Sequence, residues 1–278
     1  MGWLRYALGK DLQSCIATAL ATLGALWTVV EIASYFVGDL RSIRLTVVFP
    51  GLICTSLVIG ARMGVRPRSV VLPIGSSDTV VAIEIGDIFT VPGARVIPVN
   101  DFLDYDLARH IAPTSLHGQF LLRCFPGREQ AFRDQTDEAL AQQPAKLVQR
   151  SSGRNRRYSV GTVARVTAGN DDYLLLVLSR TDVHTLKGSA DTDDLWRALG
   201  GLWSQARYLA FGRDVVVPLI GSGLSGVGLP VGRLLDMLLI SLVDATKTRK
   251  VADRVVVVLT ESHLDQIDLR DVSRVWQS

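Results

Sequence analysis

The densest group of residues suited to chemistry is the glycine-rich segment GSGLSGVG at positions 221–228. It follows the apolar run VVVPLI and precedes a helix that is predicted to begin at Pro230. Closely spaced glycines let a backbone turn its amides toward one point, and the N-terminal dipole of the next helix adds to the attraction for an anion. The segment predicts a phosphate site made by Gly221, Ser222, Gly223, Leu224, Ser225 and Gly226.

Two common nucleotide motifs do not explain this segment. Its spacing satisfies GxGxxG, but a Rossmann motif opens its nucleotide-binding unit and has a ribose-binding acid about twenty residues further on. Here one clear strand, at Arg254–Leu259, remains after the glycines. No lysine follows the last glycine, which excludes a Walker A loop. A tight strand-to-helix turn without a ligand stays open as the alternative.

Polar residues end two consecutive predicted strands in the segment GDIFTVPGARVIPVNDFLD. Asp87 and Ile88 follow the first of these strands, and Asn100 and Asp101 follow the second. Strand ends of an α/β sheet share an edge at which ligands usually bind, so these residues are candidates for one site. An aspartate at a strand end is also a common turn or cap residue, and that interpretation stays open.

Short runs rich in valine and isoleucine predict a β-sheet from position 69 onward. The runs VVVPLI and VVVVLT are apolar without alternation, which indicates a sheet covered on both faces and a three-layer α/β/α sandwich with a mixed sheet over residues 69–278. Strands are predicted at Ser69–Ile74, Val80–Ile85, Arg95–Val99, Tyr158–Val166, Tyr173–Leu178, Asp214–Ile220 and Arg254–Leu259. Helices are predicted at Arg128–Gln142, Asp191–Ala210, Pro230–Ala245 and His263–Trp276.

The N-terminal part has a different pattern, with two long apolar stretches close together. Leu12–Val30 runs nineteen residues without a charge, and Leu45–Ala61 runs seventeen. A bilayer core of about 30 Å needs roughly twenty helical residues, with a lower limit near seventeen. Residues 1–68 are therefore predicted to form a two-helix transmembrane hairpin, with spans at about 12–37 and 43–63 and a tight turn at 38–44.

Flanking charges predict the orientation of this hairpin. Arg5 and Lys10 precede the first stretch and three arginines follow the second, so the positive-inside rule places both termini in the cytoplasm. A cleaved signal peptide is the alternative for the first stretch, although that stretch is longer than the usual apolar region of such a peptide. The three cysteines form no zinc-ligand pattern, and no metal or catalytic triad is predicted.

The charge balance argues against nucleic acid as a partner. The net charge is +3, and a duplex-binding surface normally shows a denser basic stripe. The most basic segment, residues 142–158, is predicted to be a solvated hairpin loop. A basic flap against phosphates or anionic lipid is the alternative for it.

Taken together, these residues resemble the macro domain, a module that binds ADP-ribose. The resemblance covers most of residues 70–278 and rests on the GDI strand end, the following strand that ends in asparagine, and the late PLIGSGLSG loop before a helix. It implies that Asp87 accepts from the adenine amino group, that Ile88 lies beside the adenine, and that Asn100 and Asp101 lie near the distal ribose. The loop from Ser222 to Gly226 would wrap the diphosphate.

One stretch departs from the macro pattern. The glycine-rich segment that usually follows the asparagine is replaced by TSLHGQFL, in which His117 and Gly118 are the remaining candidates. This departure implies a ligand other than plain ADP-ribose.

A membrane hairpin joined to such a domain resembles the effector of the Thoeris antiphage system that carries transmembrane helices and a macro domain. The resemblance implies that a TIR-domain partner consumes NAD and makes an ADP-ribose-derived signal, conjugated to histidine. The effector would lie in the inner membrane of a bacterial cell, bind that signal, form a homo-oligomer and damage the lipid bilayer, without a cofactor and without acting as an enzyme.

Two other functions stay open. A membrane-anchored ADP-ribosyl hydrolase would need a general base near the distal ribose, for which Asp101, His117 and Glu84 are candidates. An anchored scaffold that binds only protein would leave the glycine loop without a purpose.

Overall fold

The computed structural model describes residues 2–37, 47–73, 78–107, 109–224 and 226–276. The predicted turn at 38–44, the start of the second predicted span and Ser225 lie outside the described residues. The chain divides into two compact units, Met1–Pro67 and Arg68–Ser278, and each is described by itself.

The described residues of the first unit form two helices, α1 (Gly2–Val37) and α2 (Phe49–Gly64), which pack against each other through small residues. Ser56, Gly60 and Gly64 recur every four residues and are the buried positions of α2. A Cβ at Gly60 would lie 2.6 Å from the Cys15 carbonyl oxygen and 2.7 Å from the Ala19 Cβ. A small residue every fourth position lets two helix backbones approach closely, so this spacing determines which face of α2 meets α1.

One helix of the described residues is long and apolar enough to cross a membrane, at Leu12–Tyr35. The second helix is apolar but has 16 residues, and at 1.5 Å per residue it is about 24 Å long, which is shorter than a bilayer core of about 30 Å. Length and composition therefore support one span, and the prediction of two spans is not established by the described part of the chain.

The second unit is built on a mixed sheet. Its strands are β1 (Ser69–Pro73), β2 (Val80–Ile85), β3 (Ala94–Asn100), β6 (Val163–Ala168), β7 (Asp171–Thr181), β8 (Gly188–Ser189), β9 (Val215–Pro218) and β10 (Arg254–Leu259). The strand order is β1-β2-β10-β9-β3-β7-β6, with β8 paired to β7. The central strands β2, β10, β9, β3 and β7 are parallel, whereas β1, β6 and β8 pair antiparallel.

Helices cover both faces of this sheet, as predicted. The helices are α3 (Leu116–Cys124), α4 (Glu129–Ala139), α5 (Thr192–Leu209), α6 (Val231–Thr248) and α7 (Leu269–Trp276). The helices α5 and α6 lie on one face over Leu174 and Leu176 of β7, and α3 and α4 lie on the other face over Leu175 and Val177. Alternate residues of a strand point to opposite faces, so a strand covered on both faces is apolar throughout.

One predicted strand, Tyr158–Val166, is wrong. The structure has a short strand β5 (Arg156–Tyr158), paired with β4 (Ala145–Leu147), and β6 then begins at Val163. Between them Gly161 has φ +92° and passes close to Gly201 of α5, where a Cβ would lie 2.1 Å from the Gly161 carbonyl oxygen. This close crossing of backbone and helix needs two glycines, and it interrupts the strand.

Two helix predictions also need correction. The helix α3 is not predicted from the sequence, because its segment is short and contains Gly118, a poor helix former. In the structure Ser115 caps this helix, and its Oγ accepts from the Gly118 amide. The predicted helix His263–Trp276 is two elements, a 3₁₀ turn at Glu261–Asp265 and the helix α7.

The basic segment 142–158 is a hairpin loop that is only partly solvated. Its Arg150 is buried and donates to the buried carboxylate of Asp104 at 2.9 Å. The Arg154 amide also donates to that carboxylate, at 3.0 Å. The Arg150 guanidinium lies 4.1 Å from the ring centroid of Phe102, which adds a cation–π contact. The buried Arg150–Asp104 ion pair therefore helps to pack this segment onto the domain.

Breaking this ion pair is expected to destabilise the domain. Asp104→Asn leaves the Arg150 charge buried without a counter-charge, and removal of one partner from a buried pair costs about 3–5 kcal/mol. Urea unfolding of the wild type and the variant measures the difference, with Asp193→Asn, an exposed partner of Arg197, as the control. If Asp104→Asn and Asp193→Asn lowered the free energy of unfolding by the same small amount, the structural role of Asp104 would be contradicted.

Candidate functional site

A large cavity of about 680 Å³ lies at the carboxyl edge of the parallel strands. This volume lies within the range of small-molecule sites. The cavity is bordered by the residues that follow β2, β3, β9 and β10, and by the segment before β8. The predicted candidates that line it are Asp87, Ile88, Asn100, His117, Gly221, Ser222, Gly223, Leu224 and Gly226. The edge of the sheet therefore brings together residues that are far apart in the sequence.

The glycine loop forms one wall of the cavity. Gly221 has φ +90°, and the Val227 amide donates back to its carbonyl oxygen at 3.1 Å, which closes the loop before α6 begins at Val231. Gly226 lies so close to the loop that a Cβ would be 2.7 Å from the Gly223 carbonyl oxygen. Gly223 itself has open space where a Cβ would stand. The loop is thus tightly folded at its base and open toward the cavity at Gly223.

Asp87 also lines the cavity and contacts an arginine. Its carboxylate accepts from Arg123 of α3 at 2.7 Å and from the Phe89 amide at 3.1 Å. Partial burial opposes ionisation, but these hydrogen bonds hold the pKa of Asp87 below its ordinary value. The Arg123 guanidinium also lies 4.5 Å from the Phe89 ring centroid. Asp87 is therefore an ionised acceptor with a fixed orientation, next to an aromatic ring.

Asn100 is held at the end of β3 by two hydrogen bonds with Asp104. Its Nδ2 donates to the Asp104 carboxylate at 3.1 Å, and its Oδ1 accepts from the Asp104 amide at 3.1 Å. A carboxamide has two N–H donors and two acceptor lone pairs, so one donor and one acceptor site remain for a ligand.

His117 is a neutral group that lines the same cavity as Asn100. Burial lowers its pKa to about 4, although the negative charge of Asp104 opposes this shift. Its Nε2 is buried and has no hydrogen-bond partner among the described residues. The imidazole therefore offers one polar nitrogen without a charge at neutral pH.

The structure places two predicted candidates outside the cavity lining. The Asp101 carboxylate is buried and accepts from the Thr181 amide at 3.0 Å and from Arg157 Nε at 2.7 Å. Burial raises its pKa despite these hydrogen bonds. Gly118 lies against the preceding loop, where a Cβ would be 2.2 Å from the Ala112 carbonyl oxygen. Both residues support the fold around the site. Ser225 lies outside the described residues.

Phe89, His110, Arg123 and Lys187 are among the lining residues that could not be recognised in the sequence. Arg123 is brought to Asp87 by α3, the helix that was not predicted. Lys187 follows a tight turn in which Leu186 has φ +59° and its amide donates to the Asp182 carbonyl oxygen at 2.8 Å. The turn places a lysine at the mouth of a cavity that also contains the glycine loop.

No group of three or more histidine, cysteine, aspartate or glutamate side chains is placed to hold a metal ion within the described ranges. Glu84, a candidate base of the hydrolase alternative, is not part of the lining either. The cavity lining therefore combines an ionised acceptor, an aromatic ring and an open glycine loop that precedes α6, which are groups suited to bind a base and a diphosphate.

The fold is that of a macro domain. The Oceanobacillus iheyensis macrodomain with ADP matches 74% of this chain and 97% of its own length, at 16% identity and a TM-score of 0.50. A glycine-to-valine mutant of the same macrodomain with ADPR matches 76% of this chain and 100% of its own length, at 15% identity and a TM-score of 0.50. At such identities these comparisons define the fold alone.

The sequence family described as Thoeris protein ThsA, Macro domain, matches residues 81–260, and the chain belongs to this family. The Thoeris protein ThsA of Bacillus amyloliquefaciens (strain Y2) is 28% identical over 151 residues. That match covers 52% of this chain and 49% of the relative, so the chain spans about half the length of the curated relative.

Proposed function

We propose that this protein is a membrane effector of Thoeris antiphage defence that senses an ADP-ribose-derived signal through its macro domain. The observation that carries the proposal is that Asp87 and the open glycine loop line one cavity of about 680 Å³. Membership of the ThsA macro family supports the same conclusion. The signal would come from NAD through a TIR-domain partner, and we propose ADP-ribose conjugated to histidine as its form.

The proposed binding mode follows the geometry of the lining. Adenine lies against Ile88 and Phe89 and donates its amino group to Asp87. The diphosphate approaches the amides of the loop between Ser222 and Gly226, with the positive end of α6 behind it. The distal ribose then lies at Asn100, which keeps one donor and one acceptor site available.

Recognition of the base by Asp87 predicts a clear preference for adenine over hypoxanthine. Hypoxanthine presents a carbonyl oxygen where adenine presents an amine, so an ionised carboxylate faces an acceptor, which costs about 1–3 kcal/mol. Isothermal titration of the protein with ADP-ribose and its hypoxanthine analogue is expected to show at least about a tenfold preference for adenine.

The matched variant for this experiment is Asp87→Asn, which keeps the shape of the side chain but adds a donor. The variant is expected to narrow or reverse the preference. A wild-type protein that binds both bases equally would show that Asp87 does not read the base.

The membrane part of the proposal rests on the first unit. We propose that α1 and α2 form a transmembrane hairpin with both termini in the cytoplasm. A pair of helices, each about 10 Å across, encloses no water path, so several copies must assemble before the bilayer fails. The signal favours assembly only if it binds the assembled state more tightly than the resting state.

A membrane-anchored ADP-ribosyl hydrolase is the second candidate. His117 is the residue that favours it, because a neutral imidazole with a buried, unpartnered Nε2 lines the cavity. A pKa of about 4 makes this imidazole a weak base, which counts against the role.

One titration distinguishes the two functions. The full-length protein in detergent is mixed with ADP-ribose and with its histidine conjugate, and the ligand is recovered and analysed by mass spectrometry. Saturable binding with intact ligand supports the sensor. Catalytic turnover of the ligand, abolished in His117→Ala, would support the hydrolase, and no binding of either compound would refute both.

A further inference from the structure

A second cavity, which we call the arginine cavity, lies next to the first. It has a volume of about 650 Å³ and is formed by the loop after β3, the helix α4 and the loop between β4 and β5. Its lining is polar and contains the four arginines Arg109, Arg133, Arg154 and Arg156, together with Asp104, Asp106, Asp137 and His110.

His110 belongs to the lining of both cavities. Its side chain is 2% exposed, and its Nε2 lies 3.1 Å from the Ser152 hydroxyl. Its Nδ1 has no hydrogen-bond partner in the described part of the chain, and the nearest Asp106 carboxylate oxygen is 3.9 Å away. A buried nitrogen without a partner is costly, so this ring is placed to meet a polar group that is absent from the free protein.

A hydrogen bond also connects the two cavities. Asn100 lines the first cavity, and its Nδ2 donates to Asp104, which lines the arginine cavity. Gly153 closes the other side, since a Cβ there would lie 2.7 Å from the Asp104 carboxylate and 2.9 Å from His110 Nε2. The Asn100–Asp104 hydrogen bond is therefore a direct link between the linings of the two cavities.

The charges of the arginine cavity are not balanced. Asp104 is neutralised by Arg150, and Arg154 forms an ion pair with Asp137. Arg109 and Arg156 are exposed and have no ion-pair partner among the residues that the structure describes, whereas the Asp106 carboxylate of the same lining lies 3.9 Å from His110 Nδ1. Two arginines beside a buried imidazole favour an anion, which they would hold by charge-assisted hydrogen bonds.

We infer that the arginine cavity binds an anionic group, a carboxylate or a phosphate, carried on the distal-ribose end of the nucleotide. The inference rests on the proposed function, because that function puts the distal ribose at Asn100. The ligand passes His110, satisfies its Nδ1 and ends against Arg109 and Arg156. Plain ADP-ribose leaves the second cavity without a ligand group and binds more weakly than a derivative with an acidic extension.

The experiment compares ligands that differ only in the anionic group. The full-length protein in detergent is titrated with ADP-ribose and ADP-ribose 1″-phosphate, and separately with conjugates of ADP-ribose to histidine and to histamine, which lacks the carboxylate. The ligand with the anionic group is expected to bind about tenfold more tightly in each pair.

The double variant Arg109→Gln, Arg156→Gln is expected to lose this preference while its affinity for plain ADP-ribose changes by less than about threefold. The matched control is Arg197→Gln, Arg233→Gln, which removes the same charge at exposed positions of α5 and α6 outside both linings. The control is expected to keep the preference.

Three results would overturn the inference. The wild type could bind both members of each pair equally, or the control could lose the preference as the double variant does. Inorganic phosphate could also bind additively with ADP-ribose while the 1″-phosphate gains nothing, which would mean an independent anion site. Absence of binding by every nucleotide would instead refute the proposed function, and the inference with it.

Discussion

Deletion of residues 1–64 is expected to abolish membrane damage completely and to leave ligand binding intact. The deletion removes α1 and α2, the apolar helices of the chain's first compact unit, while residues 68–278 keep their own sheet and cores. Dye release from liposomes with the signal present measures the damage, and isothermal titration measures the binding. A truncated protein that still kills cells in response to the signal would make the soluble domain the toxic part.

A point variant tests the helix pair more finely. Gly60→Leu puts a branched side chain where even a Cβ would lie 2.6 Å from the Cys15 carbonyl oxygen, so α2 can no longer pack on α1. Gly51→Leu is the matched control on the same helix, because a Cβ at Gly51 meets nothing within 4 Å. Damage is expected to fall in the first variant and to persist in the second. Equal damage by both would show that the close packing of α1 and α2 is not required.

Gly223→Val is expected to weaken binding of the signal by at least about tenfold, or roughly 1.4 kcal/mol. No protein atom lies within 4 Å of the position that a Cβ would take, and Gly223 is not among the residues with positive φ. Valine therefore fits the folded protein and extends into the space where the diphosphate approaches the loop. The melting temperature is expected to stay close to that of the wild type.

Gly200→Val is the control for this experiment. Gly200 is an exposed position of α5 outside the cavity lining, and a Cβ there would also meet nothing within 4 Å. Wild-type affinity in a folded Gly223→Val protein would show that the diphosphate does not lie at this loop. A loss of affinity in both variants would point to an indirect effect on the domain.

The sheet could be predicted from the sequence because its strands are covered on both faces. Val255, Val256, Val257 and Val258 are all buried, and an uninterrupted apolar run of this length has one stable placement, in the centre of a layered fold. The sequence also predicts that a helix begins at Asp191. In the structure Asp191 is the N-cap of α5, and its side chain accepts from the Asp194 amide at 2.8 Å. Both features depend on residues that are neighbours in the chain, so the sequence alone indicates them.

Close approaches between distant segments could not be predicted. Gly161 interrupts a predicted strand because it meets Gly201, forty positions later, and nothing in the neighbouring residues records that contact. In the helix pair a Cβ at Gly24 would meet nothing within 4 Å, whereas Gly60 and Gly64 lie against the other helix at Cys15. Which glycine allows a close approach between two segments depends on the surface of the other segment.

The sequence by itself determined the class of the domain and the two segments of the site that carry a motif, the strand end at Asp87 and the glycine loop. Only the tertiary structure decided that Arg123 holds Asp87, that Asp101 is committed to Arg157, and that His110 lies between two cavities. A motif consists of residues that are close together in the sequence, so the sequence alone can identify it. The ion-pair partner of a charged side chain depends on how distant helices and strands pack together, and the sequence does not show that packing.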